Sequence, residues 1–359
     1  MKPRVVTAVM ASLTFVGVLV VGADPAAAQG TVIVRPGQSI QAAVDGAVPG
    51  TRIVVRPGTY AENVAITTDG IELLGFGATL VPPASPAPNA CSDPPEAPAT
   101  DGICAIGEID FSQQPPAVTD PVANVTIRGF TIRGFAGSGV IFLGAENPNV
   151  TNIRAESDQA YGIARFFSTG GTILANRTSG SFVAGIYVGD SDNANVLISA
   201  NETFDNNLFG FFFRDAANGR VIGNHTHDNC VGAIVLNEAG FGGNWLFSLN
   251  AVANNTAFCA GEPGNPDDPS LSGTGILIAG ASDNTIQGNS ITGNVPSGPV
   301  DFSGGVVVLT LDPALPASNN VVRANFFRNN QPDIFWDGAG TGNAFRNNIC
   351  RTSVPPGLC

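Results

Sequence analysis

Basic charge is what this chain has least of. Of 359 residues, 16 are Lys or Arg against 29 Asp or Glu, and Lys2 is the only lysine. A net charge of −13 offers no surface for neutralising phosphates, which excludes nucleic acid as a partner. Charged residues of both signs reach only 13% of the chain, about half the usual share of soluble domains. Histidine is down to two residues, so metal ligands of that type are scarce. The six cysteines contain no C-x-x-C and match no zinc spacing. Beyond residue 21 there is no apolar run long enough to cross a membrane, so the chain does not read as an integral membrane protein.

What fills the gap is asparagine, 32 residues, with 44 glycines. The first residues read as an address. Lys2 and Arg4 precede the uncharged apolar run Val5 to Val21, and Ala26-Ala27-Ala28 offers a small-residue cleavage site, so 1–28 is a signal peptide and the rest is secreted. Cysteines in an exported chain should pair. Cys91 and Cys104 bracket one Pro-rich stretch, Cys350 and Cys359 close the C-terminus, and Cys230 and Cys259 remain, on neighbouring repeats.

The repeat sets the architecture. Asn124-Val-Thr-Ile, Asn149-Val-Thr, Thr172-Ile-Leu, Asn195-Val-Leu-Ile, Arg220-Val-Ile, Asn244-Trp-Leu-Phe, Asn284-Thr-Ile, Asn320-Val-Val and Asn343-Ala-Phe open alike, and a Gly before a β-branched or aromatic run follows the first seven: Gly139, Gly162, Gly185, Gly210, Gly232, Gly275, Gly305. Short apolar runs bounded by Gly and Asn read as strands, and a fixed period of this length means a solenoid. Two Asn series stay in register, one from Asn176 through Asn201, Asn224, Asn250, Asn289 and Asn325 to Asn347, the other through Asn206, Asn229, Asn255, Asn294 and Asn330. Asn tolerates the left-handed backbone of sharp corners, and equivalent side chains on stacked coils can hydrogen-bond as ladders.

With Pro36-Gly-Gln-Ser-Ile-Gln-Ala-Ala-Val44, Ile53-Val-Val-Arg-Pro-Gly-Thr-Tyr60 and Glu62-Asn-Val64 at its start, the chain resembles secreted right-handed parallel β-helix proteins of the pectin-lyase-like superfamily, in particular the Asn-rich actinobacterial and NosD-like group. The resemblance implies an all-β, single-stranded right-handed parallel β-helix. The repeats and the cap sequence set its layout: about ten coils with a short capping helix, Ser39 as its N-cap, and Ile40, Ala43 and Val44 plugging the open end. Residues 29–359 then form one domain: cap 31–81, a disulfide-tied excursion 82–123, repeat coils 124–349 and a tail 350–359. Further Pro-rich excursions fall at 259–272 and 312–316.

Enzymes of this fold use the outside of one sheet. Counting two past each landmark Gly gives Ile141, Ala164, Tyr187, Phe212, Ile234, Leu277 and Val307, an outward apolar and aromatic stripe fit to stack on sugar rings or to be covered by the excursions. Three further along stand Asp190 and Asp215 on adjacent coils, beside Arg214. Such a pair could raise one pKa for acid/base work or bind Ca²⁺; it could equally be a structural carboxylate at a strand end. Tyr187, Asp190, Arg214 and Asp215 are therefore the candidate catalytic residues, with Tyr161, Arg165 and Phe212 as substrate-binding neighbours. His225 and His227 alternate onto one face, where Arg177, Glu202 and His225 form an outward column; no metal site is assigned to them. The polygalacturonase motifs are missing, and Tyr161-Gly162 is followed by Ile-Ala-Arg where mannuronan epimerases continue differently. Two functions stay open: binding and processing of an extracellular, acidic polysaccharide or cell-surface glycan by lyase- or epimerase-like chemistry, and a non-catalytic surface or accessory solenoid.

Overall fold

A computed structural model describes residues 30–85, 88–90, 92, 100–262 and 269–359. The expected signal peptide lies outside the described residues. The chain winds as a parallel β-helix whose coils each contribute one short strand to each of three stacked sheets, of 12, 10 and 11 strands. The first sheet runs from Thr31–Val34 to Ala344–Arg346, the second from Gly58–Ala61 to Phe326–Arg328, and the third from Val64–Ile66 to Ser353–Val354. Ten coils therefore carry all three strands. Pairing is in register and parallel throughout these sheets, as in Ile163↔Ile186↔Phe211↔Ala233. The one helix among the described residues, Ile40–Asp45, is capped by Ser39, whose hydroxyl accepts from the Ala42 amide at 3.1 Å, and Ile40 and Val44 are buried over the open end. Glu62 fixes the helix from the first coil by accepting from the amides of Ile40 and Gln41, each at 3.0 Å.

The corner between the first and second sheets has one form. In all ten coils the two strands are separated by two residues, as Leu197–Ser199 and Glu202–Phe204 are. The first of the two is left-handed in most coils (Ala175, φ 54°; Ala200, φ 56°; Leu249, φ 58°; Ala324, φ 53°), and from Asn176 on the second is the ladder asparagine. Asparagine is thus not placed there for the left-handed backbone, as expected, but for its amide. Asn201 Oδ1 accepts from the backbone and side-chain nitrogens of Asn176, both at 2.9 Å, while Asn201 Nδ2 donates to Asn224 Oδ1 and to Ile173 O, also at 2.9 Å. Every polar atom of the side chain is used, which is what burial demands. The ladder continues through Asn250, Asn289 and Asn325 and ends on Asn348, not Asn347; the latter is the left-handed residue of its corner, at φ 55°. A second ladder joins Asn206, Asn229, Asn255, Asn294 and Asn330, and a third, not expected, joins Asn284, Asn320 and Asn343 at the corner from the third sheet to the first.

The interior is one continuous apolar cluster from Val34 to Ile334. Excursion 82–123 is not a single loop. Its segment Ile103–Ile106 is apolar and buried and fills the third sheet between Val64–Ile66 and Val140–Leu143, because an apolar strand in register closes the coil that would otherwise have a gap. What projects from it is the antiparallel hairpin Glu108–Asp110 with Ala117–Asp120. The tail is likewise not free: Ser353–Val354 extends the third sheet, and Leu358 packs on the core. Disulfides link Cys230 to Cys259 and Cys350 to Cys359, as expected. Cys104 is also disulfide-bonded; the expected partner, Cys91, lies outside the described residues. No helix among the described residues is long and apolar enough to cross a membrane.

Candidate functional site

Alternation on the third sheet decides which residues can meet a ligand. Ile163, Ile186, Phe211 and Ala233 point into the interior cluster, so Ala164, Tyr187, Phe212 and Ile234 point out, and Arg165, Val188, Phe213 and Val235 point in again. Arg165 is accordingly not a groove residue. It is 1% exposed inside the solenoid, where its Nη1 donates to Gly170 O at 2.8 Å, and burial pushes its pKa down to about 9. The expectation that it lies beside Tyr187 overlooked this period of two.

The outward stripe forms, but it is not an open surface. Tyr187 is 3% and Phe212 9% exposed, and with Ala164, Phe209, Ile234, Leu277 and Val307 they make a second apolar cluster outside the sheet. Tyr161 stacks on Tyr187 with ring centroids 4.4 Å apart, Phe166 sits 4.8 Å from Tyr187, and Phe212 meets Tyr187 edge-on at 5.2 Å. Tyr161 and Phe166 keep part of their surface in solvent. The glycine at 189 matters here: a Cβ would collide with the Tyr187 hydroxyl, so the phenol lies across Gly189 towards the strand end. On the C-terminal side Phe209 joins the aromatic cluster to a cavity of about 450 Å³ over Ile234, Leu277 and Leu309, walled by Pro269 and Leu271 of one excursion and by Phe302, Leu311 and Leu315. The excursions wall the C-terminal half of the sheet face, so the aromatic cluster runs on into a trench.

The acid pair lies at the rim. Asp190 and Asp215 end their strands in register, both left-handed at φ 49° and 47°, a conformation Asp accepts more readily than most residues. Asp215 is buried, and its Oδ1 accepts from the amides of Glu238 and Ala239 at 2.7 and 2.6 Å, which clasps the next turn of chain. Arg214 reaches over to Glu238 at 2.6 Å and lies 3.7 Å from Asp215 Oδ2. Asp190 alone is uncommitted to a backbone clasp. Its partial burial, then the charge of Asp215, raise its pKa, with Arg214 opposing. Burial also raises Tyr161 and Tyr187, so both phenols stay protonated at neutral pH. The oxygens suit Ca²⁺ poorly. That ion takes six to eight oxygen ligands, whereas Asp215 Oδ1 is occupied by two amides and Arg214 brings positive charge beside Oδ2.

The structure thus brings Tyr161, Tyr187, Phe212, Asp190, Arg214 and Asp215 together and leaves Arg165 out. It adds Phe166, Phe209 and Glu238. Phe166 stands two past the outward Ala164 on the same strand, a position the period-two count could have found. Glu238 depends on a turn that the sequence does not specify.

Residues 108–257 match the family described as right-handed β-helix region. No curated protein matches the chain in sequence. Among solved structures, the chain is similar to the A-module of the Azotobacter vinelandii mannuronan C-5 epimerase AlgE4, with 15% identity, a TM-score of 0.58, and coverage of 88% of this chain and 91% of that one. The periplasmic alginate epimerase AlgG gives 14% identity and a TM-score of 0.57, over 88% and 83% of the two chains. The Dettilon tailspike protein gives 12% and 0.54, over 89% of this chain and 58% of the tailspike. These likenesses establish the fold, a right-handed parallel β-helix, and leave the chemistry to the site.

Proposed function

We propose that this right-handed parallel β-helix protein is exported and binds an extracellular polysaccharide along the outer face of its third sheet, from Tyr161 to Glu238. The observation that carries the reading is this face: partly exposed aromatic rings, Tyr161 and Phe166, backed by the buried Tyr187–Phe212 pair and continuing through Phe209 into the trench that the excursions wall. Aromatic faces held edge to edge on a sheet suit stacking with sugar rings, and the rim carboxylates suit hydroxyl groups. Structural neighbours titled as alginate epimerases and a tailspike support a glycan as the class of ligand. The charges favour a neutral chain over the acidic one expected, since Asp190, Asp215 and Glu238 face only Arg214.

Proton transfer on the bound chain is the second reading, and Asp190 is the observation in its favour. With a raised pKa and no backbone clasp it could remove the proton beside a uronate carboxyl group while Arg214 neutralises that group and Tyr161 protonates the leaving oxygen. Binding to immobilised neutral and uronate polymers, followed by ultraviolet detection of unsaturated ends, separates the two. Tyr161→Ala should weaken binding by about 1–3 kcal/mol as an aromatic anchor. Asp190→Asn should leave binding intact and abolish any product. Unchanged binding in Tyr161→Ala would refute this face as the glycan site.

A further inference from the structure

The second sheet carries a different chemistry on its outer face. His225–His227 is a strand of three residues with Thr226 turned into the solenoid, so both imidazoles stand on one side. Glu202 is the register partner of His225 on the preceding coil, and Arg177 is the partner of Glu202 on the coil before that. Glu202, His225 and His227 each bring one ligand atom to within 4.8 Å of the other two. The chain contains no other histidine.

The surroundings orient these donors. Asp228 Oδ2 lies 2.6 Å from His227 Nδ1 and Glu202 Oε1 3.3 Å from its Nε2; with the Nδ1 proton held by Asp228, Nε2 is the nitrogen that an ion would take in place of a proton shared with Glu202. A carboxylate behind a histidine that fixes its tautomer is the usual outer partner of a metal-binding imidazole. Glu202 divides its oxygens: Oε2 is held by Arg177 Nη1 at 2.8 Å, and Oε1 faces the histidines. Phe204 stacks on the His227 ring at 5.2 Å and carries the Arg177 guanidinium on its other contact, 4.4 Å from the ring centre, so both neighbours of Glu202 are held in place.

We propose that Glu202, His225 and His227 form a surface site for a divalent first-row transition metal of the Zn²⁺ or Cu²⁺ kind. Two imidazoles and one carboxylate select borderline ions over Ca²⁺ or Mg²⁺, which take oxygen sets. Three protein donors leave the ion at least one position open to solvent, the pattern of a site that accepts a further ligand rather than a closed structural one. The site is independent of the trench, which lies on another sheet.

Untagged protein titrated with ZnCl₂ by calorimetry should bind one ion per chain. Bound Cu²⁺ should give an electron paramagnetic resonance spectrum with two imidazole nitrogens, which can come only from this pair. His227→Ala should abolish binding, His225→Ala should weaken it at least tenfold, and Asp228→Asn should weaken it about 10–100-fold through the lost tautomer control. Neither ring belongs to the apolar core, so the variants should keep the parent far-ultraviolet dichroism. Absence of saturable binding up to millimolar Zn²⁺ overturns the site. So does affinity unchanged in a His225→Ala/His227→Ala chain, and equal affinity in Glu202→Gln removes the carboxylate from it.

Discussion

Asp158 stands where later coils carry ladder asparagines, and that one difference should set the pH dependence of folding. Its Oδ1 accepts from the Phe135 amide at 3.0 Å, as Asn206 Oδ1 accepts from the Ser181 amide at 3.1 Å. The side chain is wholly buried, and its Oδ2 has no hydrogen-bond partner. Burial lifts its pKa from 3.8 to about 8, with Asp101 and Glu156 adding to the rise and the amides of Phe135 and Gly134 opposing it. The folded chain therefore holds a proton that the unfolded chain releases between pH 4 and pH 8. Stability from this group is fully present below pH 4 and is lost as pH rises through 8. At about 1.4 kcal/mol per pH unit, the carboxylate costs the fold about 6 kcal/mol once ionised. Asp158→Asn inserts an uncharged amide whose NH₂ can donate to a carbonyl of the coil beneath, as Asn229 Nδ2 does to Thr203 O. Urea unfolding at pH 5 and pH 9 should show the parent losing several kcal/mol more than the variant. At pH 9 Asp158→Asn should be the more stable protein. Parallel pH profiles for the two chains would refute both the raised pKa and the ladder equivalence.

Two further outcomes concern the framework. Asn224→Ala strips partners from the Asn201 amides, the Asn250 carbonyl and Ile198 O, and should lower unfolding free energy by about 2–5 kcal/mol; Asn348→Ala, half-buried at the ladder's end, should cost far less in the same urea titration. Replacing Cys230 and Cys259 by Ser opens a loop of 29 residues and should destabilise by about 3–4 kcal/mol in the same urea titration.

The fold was legible because its determinants are periodic. Asn and Gly recur where corners and strand starts recur, and each ladder Asn must find the next. Where two asparagines stand together, as at 347 and 348, sequence alone could not say which was the left-handed residue and which the ladder. Ile103–Ile106 was hidden by the prolines around it, although its apolar character marked it as a strand. In the site, the acid pair and the tyrosines followed from register. Arg165 did not, because nearness along the chain says nothing about which side of a strand a side chain takes. The burial of the aromatic stripe was set by the paths of excursions whose sequences carry no period.

The constant corner has a consequence for how such a protein can change. Between the first and second sheets the link is two residues in every coil that has both strands, whereas the link into the third sheet runs from two residues (62–63) to twenty-one (82–102), and the link out of it from three (217–219) to nineteen (107–125). The ladder bond is nevertheless 2.9 Å whether its asparagines are 25 or 39 positions apart in the chain. The solenoid is bound like a book with pages of unequal width, its unvarying spine at this corner and its other two ladders at the edges of the variable links. Foreign segments inserted in the two variable links, away from their ladder asparagines, should leave the stitching untouched and emerge beside the third sheet. Recognition can be rewritten there, by evolution or by grafting, without re-solving the fold.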